Sequence, residues 1–373
     1  MTTSIAFFVD SPGARAHAMA ASRLALGLAE RGDVDTSLVC YSDDPAPSWL
    51  PPRIRVDRLG VGRASRAFPP LLGYLREQRP DVLIARQVHA NFIALAAGLV
   101  ARLMFRWRGR VILVQDHPIE LSHAANKLDN KWLAKFCYRF ADGVVSPSPT
   151  VQQDIVRWSH LNQATTAVVP NPIPAFTGTL GGPPHRWLKE GEPPTFVNAS
   201  NMMPWKRLDL LIAAFADVCK RRDVRLLIIG TGPGYEAAAA QISSLGLADR
   251  AELVGWVDDP LLYAAYAHAY AHASDEEGFA QVLTEAMSVG CPVVTTDARG
   301  GGPRFVTEDG RYGLLAARGS REELAAKMEQ LLDPQVRAKY SELGRRRSAM
   351  MSPAASAQAL MDFIASLRHG RTQ

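Results

Sequence analysis

Short apolar runs alternate with Ala- and Leu-rich helical patterns along this chain, and the alternation occurs twice around a break crowded with proline and glycine. In the first series SIAFFVD reads as a strand, AMAASRLALGLAERG as a helix closed by Gly32, and DTSLVCY as the next strand. PDVLIA, a long Ala/Leu helix, RVILVQDH and ADGVVSPS continue it. Strands separated by helices at this spacing build βαβ units and therefore a parallel sheet. Residues 170–194, PNPIPAFTGTLGGPPHRWLKEGEPP, interrupt the pattern and read as a linker. A second series then runs through PTFVNAS, LDLLIAAFADVCKRR, VRLLIIGTGPG, a helix to about Leu247, AELVGW, YAHAYAHAS, PVVTTD, YGLLAA and EELAAKMEQLLD.

The expected fold class is α/β, with two doubly wound Rossmann-like domains: residues 1–172, a linker over 173–194, and residues 195–350. The tail 351–373, interrupted at Pro353, reads as a helix that packs back on the N-terminal domain. A length of 373 residues with 47% hydrophobic content exceeds one ordinary core and suits two. In such sheets ligands sit beyond the carboxyl ends of the strands, where loops meet helix N-termini.

Composition narrows the function classes. A formal net charge of +5 suits anionic ligands or an anionic surface but is too weak to indicate nucleic acid. Cys40, Cys137, Cys219 and Cys291 are scattered without a CxxC pair, which argues against a metal or disulfide framework. MTTSIAFFVDSPG lacks the basic n-region and continuous apolar core of a signal peptide. No unbroken apolar run reaches the roughly eighteen residues of a membrane span, so none is expected. The expected compartment is the cytoplasm.

Residues 274–287, SDEEGFAQVLTEAM, carry more acid than a structural connection needs. Were the whole stretch helical, Glu277 and Glu285 would stand about 80° apart and two turns removed, a poor shared site. A loop ending at Glu277, a turn at Gly278 and a helix starting near Phe279–Gln281 avoid that. The N–H groups of Phe279, Ala280 and Gln281 then form an anion site aided by the helix dipole. Two carboxylates beside a phosphate-binding helix start suit hydroxyl-rich groups flanking a diphosphate. Glu276 reads as a solvated neighbour.

Glu277, seven residues, Glu285 and then AMSVGCPVVTTD resemble the E-x7-E signature of retaining family-4 glycosyltransferases with the GT-B fold. SDEEGFAQVLTEAMSVGCPVVTTDARGGGPR and EDGRYGLL follow the family's motif order, with PWKRLDLLIAAF, LLIIGTGP and LVGWVDDP upstream and VVPNPI closing the first domain. An acidic pair alone is weak evidence; the ordered set over most of the chain is specific.

The resemblance implies a cleft between an acceptor-binding and a nucleotide-sugar-binding domain. It implies Glu277 on donor-sugar hydroxyls, Glu285 on the ribose and Lys206 on the diphosphate. Val254 and Val257 would meet the nucleobase, and the turn holding Gly230 and Gly232 would leave room for the donor. Asn201, Gly278, Phe279, Ala280 and Gln281 complete the donor set. In the N-terminal domain it implies Gly13 facing the diphosphate and His117 facing acceptor and donor sugar, although His117 also reads as a partly buried, satisfied histidine. It further implies retention of configuration, no cofactor and no metal, and a UDP-sugar ahead of a GDP-sugar. The acceptor would be a glycan or lipid-linked glycan of cell-surface polysaccharide or glycoconjugate synthesis, and the enzyme a hexosyl- or N-acetylhexosaminyltransferase.

The chain departs from the family at three places. Ala199-Ser200-Asn201 stands where many members carry Gly-Arg, which leaves Arg207 or Arg304 as candidate substitute cations. Gly302-Pro303-Arg304 continues with Phe305 instead of glutamate, and the N-terminal loop reads SPGARAHA. A same-fold sugar-nucleotide epimerase or hydrolase, and a non-catalytic sugar-binding relative, stay open as alternatives.

His268 and His272 read as structural, because no third metal ligand accompanies them. GTGPG lacks the dinucleotide spacing, which argues against a nicotinamide cofactor. Asp33 and Asp35 form a DxD far from the donor motifs and are discounted as a metal site. LMFRWRGR places Arg102, Arg106, Trp107, Arg108 and Arg110 together, either as a peripheral contact with an anionic membrane at its inner face or as a solvated helix end.

Overall fold

Parallel pairing runs through both halves of the chain in the computed structural model, which describes residues 2–13, 16–121, 127–173 and 181–369. The first sheet contains β1 (Thr3–Val9), β2 (Val34–Cys40), β3 (Arg55–Arg58), β4 (Val82–Arg86), β5 (Arg110–Val114), β6 (Gly143–Ser146) and β7 (Thr166–Val168). Their order is β3-β2-β1-β4-β5-β6-β7. The second contains β8 (Thr195–Ala199), β9 (Arg225–Ile229), β10 (Ala251–Gly255), β11 (Ala269–His272), β12 (Val293–Thr296) and β13 (Leu314–Ala316), ordered β10-β9-β8-β11-β12-β13. The order reverses between β1 and β4 and again between β8 and β11. These are the switch points where doubly wound sheets open a ligand crevice.

Central strands are apolar on both faces because helices cover both. Ile5, Phe7 and Val9 belong to one core cluster, while Ala6 and Phe8 belong to another on the opposite side. The edge strands β3 and β7 escape a hydrophobic reading of the sequence because Arg55–Arg58 is polar and Thr166–Val168 very short.

The chain separates into two units, Met1–Pro174 with Met351–Gln373, and Ala175–Met350. Helix Pro353–His369 packs on helix Ala16–Ala29 and supplies Ala357, Leu360, Phe363 and Ile364 to the core around Phe7, Leu38 and Ile112. Gly27 permits this approach, since a Cβ there would lie 2.1 Å from the Pro353 carbonyl oxygen. Of the expected linker, residues 174–180 lie outside the described residues. The part that follows places Trp187 and Leu188, both buried, against the second sheet, where Thr195 Oγ1 donates to the Trp187 carbonyl at 2.9 Å.

The expectation for the LMFRWRGR patch needs correction, and the helix leading into it bears on the expected absence of a membrane span. Helix Val88–Phe105 is long and apolar enough to cross a membrane by length and composition, although His89, Asn91 and Arg102 break its apolar run. Its Ala90, Ala94, Ala97 and Ala101 face lies in the N-terminal core. The LMFRWRGR patch is only partly a surface. Trp107 is buried, its indole N–H donating to the Pro80 carbonyl at 2.9 Å. Arg102 pairs with Asp142 and donates to the Gly109 carbonyl at 2.9 Å. Buried Trp107 and paired Arg102 are therefore not available to lipid; Arg106 and Arg108 are exposed beside Leu103 and Met104.

Candidate active site

The carboxyl ends of β8 and β11 bring the lysine loop and the acidic loop together. Tyr270 ties the strand ends: its hydroxyl accepts from the Ala199 N–H at 2.8 Å and donates to the Ala199 carbonyl at 3.0 Å. The chain then turns through the short helix Pro204–Lys206, and Asp275 N–H donates to the Trp205 carbonyl at 2.8 Å. This lock places the Lys206 ammonium against Glu277 Oε1.

Glu277 is surrounded by donors. Ser274 Oγ donates to Oε1 at 3.0 Å, and His272 Nε2 stands 3.2 Å from the same oxygen. Ser274 Oγ is also 3.0 Å from His272 Nε2, and His272 Nδ1 is 3.0 Å from Thr295 Oγ1 on β12. Burial by itself pushes the Glu277 carboxyl up, but the Lys206 ammonium and the His272 ring outweigh it and hold the group well below the usual carboxylate range. The residue is an anionic hydrogen-bond acceptor, not an acid.

The backbone around Glu277 is clamped from β12's following loop. Glu277 N–H donates to the Arg299 carbonyl at 2.8 Å, and Gly302 N–H to the Glu277 carbonyl at 3.0 Å. Gly302 has no room for a side chain, since a Cβ would lie 2.6 Å from Phe279 N. Helix Gln281–Ser288 begins directly after the turn and buries Leu283, Ala286 and Met287. Glu285 lies inside this helix, where its Oε1 accepts from Gln281 Nε2 at 2.9 Å.

Several expected features sit differently. The left-handed residue of the turn is Ala280, at φ 64°, and Gly278 does not take that conformation. Glu276 is no solvated neighbour: its side chain is 12% exposed and pairs with Arg299, across an isolated bridge between the two backbones. Neither substitute cation is uncommitted. Arg207 bonds Asp209 at 2.9 Å and Asp275 at 3.0 Å, and Arg304 bonds Asp297 and Asp309 at 2.5 Å each. Gly230 and Gly232 take φ of 116° and 151°. A Cβ on either would lie 2.0 Å from a backbone oxygen, Ser200 O or Asn201 O, so these glycines let the lysine loop cross. Asn201 is exposed, and Val254 and Val257 are half-buried around the exposed Trp256.

In the N-terminal unit Gly13 follows β1, with Pro47 Cγ 2.9 Å from where its Cβ would be. His117 follows β5 with its side chain exposed and its carbonyl accepting from Gln115 Nε2 at 2.7 Å. Near the same strand ends lie groups that sequence reasoning passed over. Buried Arg86 holds Asp116 through Nε at 2.9 Å and Asn171 through Nη2 at 2.7 Å, and His17 Nε2 is 3.0 Å from Asp10 Oδ2. Burial raises the Asp116 carboxyl, and Arg86 more than reverses it. In the second unit the missed residues are His272 and Ser274. In the sequence His272 reads as structural together with His268, and Ser274 opens the acidic stretch without a signal of its own.

The family model for glycosyl transferases group 1 matches residues 184–347, and that for the glycosyl transferase 4-like domain matches residues 16–172. A Campylobacter jejuni enzyme, N-acetylgalactosamine-N,N'-diacetylbacillosaminyl-diphospho-undecaprenol 4-alpha-N-acetylgalactosaminyltransferase, is 26% identical over 69% of this chain and 69% of its own. The lipopolysaccharide core biosynthesis glycosyltransferase LpsE of Rhizobium meliloti is 25% identical over 85% of this chain and 86% of its own. Among solved structures, Anabaena HepE in complex with UDP-glucose has a TM-score of 0.78 at 21% identity, covering 97% of this chain and 99% of that one. Matched in both halves by these models and in fold by that structure, the chain belongs to the GT4 family of glycosyltransferases and has the GT-B fold.

Proposed function

We propose that this glycosyltransferase moves a hexosyl or N-acetylhexosaminyl group from a UDP-sugar to a glycan or lipid-linked glycan acceptor, with retention of configuration and without a metal. The observation that carries the reading is the Lys206–Glu277 pair at the β8/β11 switch point, beside the start of helix Gln281–Ser288. Lys206 supplies the cation that a departing diphosphate needs, and the N–H groups at the helix start add to it. Glu277 accepts hydroxyl hydrogen bonds from the sugar, and Glu285 from the ribose. The leaving phosphate takes the acceptor's proton on the face it departs from, which gives retention.

The UDP preference draws on HepE, solved with UDP-glucose, and the acceptor class on the undecaprenol-linked and lipopolysaccharide-core substrates in the relatives' names. Those relatives are named as transferases, which disfavours the epimerase, hydrolase and non-catalytic readings. Free cysteines at Cys40, Cys137, Cys219 and Cys291 fit the reducing cytoplasm.

A thermal-shift panel of UDP-, GDP- and ADP-sugars tests the donor assignment. A donor at about 100 times its Kd adds about 2.7 kcal/mol to the folded state, so a UDP-sugar should raise the melting temperature by several degrees. A shift with GDP- or ADP-sugars alone would correct the base, and no shift with any donor would remove the site assignment.

A further inference from the structure

Glu277 Oε1 receives three donors, from Lys206, His272 and Ser274, while among the described residues none of the hydrogen bonds made by this carboxylate engages Oε2. One counter-ion would suffice to keep the carboxylate charged. The three differ in what else they can do. Lys206 comes from a separate loop and is 18% exposed, whereas His272 is 2% exposed and fixed on β11. A lysine that turns to a diphosphate leaves a buried carboxylate short of its cation, and an unpaired buried charge is strongly unfavourable.

The surroundings of His272 accommodate a second protonation state. Thr295 Oγ1 lies 3.0 Å from His272 Nδ1 and 3.2 Å from the Thr296 carbonyl oxygen. Its hydroxyl can donate to Nδ1 of the neutral ring. Alternatively it can donate to the Thr296 carbonyl while accepting from an Nδ1–H. The Nε2–H faces Ser274 and Glu277 in both states, so no polar group is orphaned by the change. Among the described residues the ring is bonded by Glu277, Ser274 and, from β12, neutral Thr295, and the Lys206 ammonium lies against the same Glu277 oxygen. On β11 itself Tyr270 is kept a neutral phenol by burial, its hydroxyl bonded to Ala199, and Glu285 of the following helix is bonded to Gln281.

We propose that His272 is a positioning residue of the donor site: it holds Glu277 when a donor diphosphate draws Lys206 away, and it takes one proton from solvent to do so. The inference rests on the donor-site reading above. On donor binding the proton is captured at Nδ1 and the Thr295 hydroxyl rotates to the Thr296 carbonyl. Glu277 stays anionic, held through Oε1 by imidazolium and serine, with Oε2 turned to a sugar hydroxyl. Charge balances locally, because the imidazolium replaces the ammonium that moved to the phosphates.

Calorimetric titration of the full chain near neutral pH tests this. UDP-glucose, GDP-mannose and ADP-glucose serve as probes, in buffers of different ionisation enthalpy. These diphosphate esters carry no proton of their own in that range, so the buffer dependence counts protons taken by the protein. The expected result is uptake approaching about one proton per donor bound. His272→Gln, whose amide nitrogen takes the place of Nε2 beside Glu277 but cannot charge, should abolish the uptake and lower kcat/KM by about 100-fold, the loss expected for a misplaced reacting geometry. Lys206→Met should also abolish uptake, because its His272 is charged before the donor arrives. Donor binding without proton uptake in the unaltered protein overturns this inference and leaves the donor site standing, as does uptake that persists in His272→Gln. Binding of none of the three probes overturns the donor-site reading and this inference with it.

Discussion

Lys206 and Glu277 are each unremarkable as residue types, and what distinguishes them is that a half-buried ammonium meets a buried carboxylate 71 residues away in sequence. A carboxylate kept ionised against burial and an ammonium at its side form a preorganised electrostatic pair. Such groups contribute most where charge develops during reaction. Glu277→Ala and Lys206→Ala should therefore each lower turnover by at least about 100-fold in steady-state transfer assays, through lost positioning and lost leaving-group stabilisation respectively. Near-normal transfer by both variants would dissociate this pair from the chemistry. Both residues were legible in the sequence because they stand in a linear run of motifs. His272 was not, because a histidine in an alternating apolar strand looks like core, and the group that defines its role, Thr295, lies 23 positions away on another strand. Glu276 was misread for the same reason: its partner Arg299 is brought in by a parallel bridge that no local pattern announces.

At the scale of elements, periodicity located the central strands and long helices well, since a strand covered on both faces leaves an unbroken apolar run. It lost β3 and β7, whose edge positions demand little hydrophobicity. The turn before helix Gln281–Ser288 was expected at a glycine, yet the left-handed residue is Ala280. The glycine that matters there is Gly302, brought in from the loop after β12. Its missing Cβ lets that loop lie against Phe279, and its N–H caps the Glu277 carbonyl. Gly302→Ala must push Phe279 away. Overpacking of this kind costs about 1–3 kcal/mol, so the urea midpoint should fall together with donor affinity. An unchanged midpoint with unchanged affinity would show that the turn has slack that the 2.6 Å approach denies.

At the scale of the whole chain, the alternation of strands and helices reported two doubly wound sheets, but the destination of the last helix depends on contacts far apart in sequence. Residues 353–369 follow the second unit in the chain and complete the core of the first. Phe363 is 6% exposed and fits against Gly143 on β6, where any Cβ would meet its ring at 2.7 Å. Arg110 Nη1 adds a bond to the Ile364 carbonyl at 3.0 Å. Removing the Phe363 ring leaves a cavity beneath β6, and Phe→Ala changes in such sites cost about 3–5 kcal/mol. That loss belongs to the unit formed by Met1–Pro174 and Met351–Gln373. Phe363→Ala should therefore speed hydrogen exchange of the β1, β5 and β6 amides through easier opening of that unit, while the β8, β9 and β11 amides keep their protection. Unchanged exchange in both groups, or an equal loss of protection in both sheets, would mean that the C-terminal helix is not the N-terminal unit's own structural element.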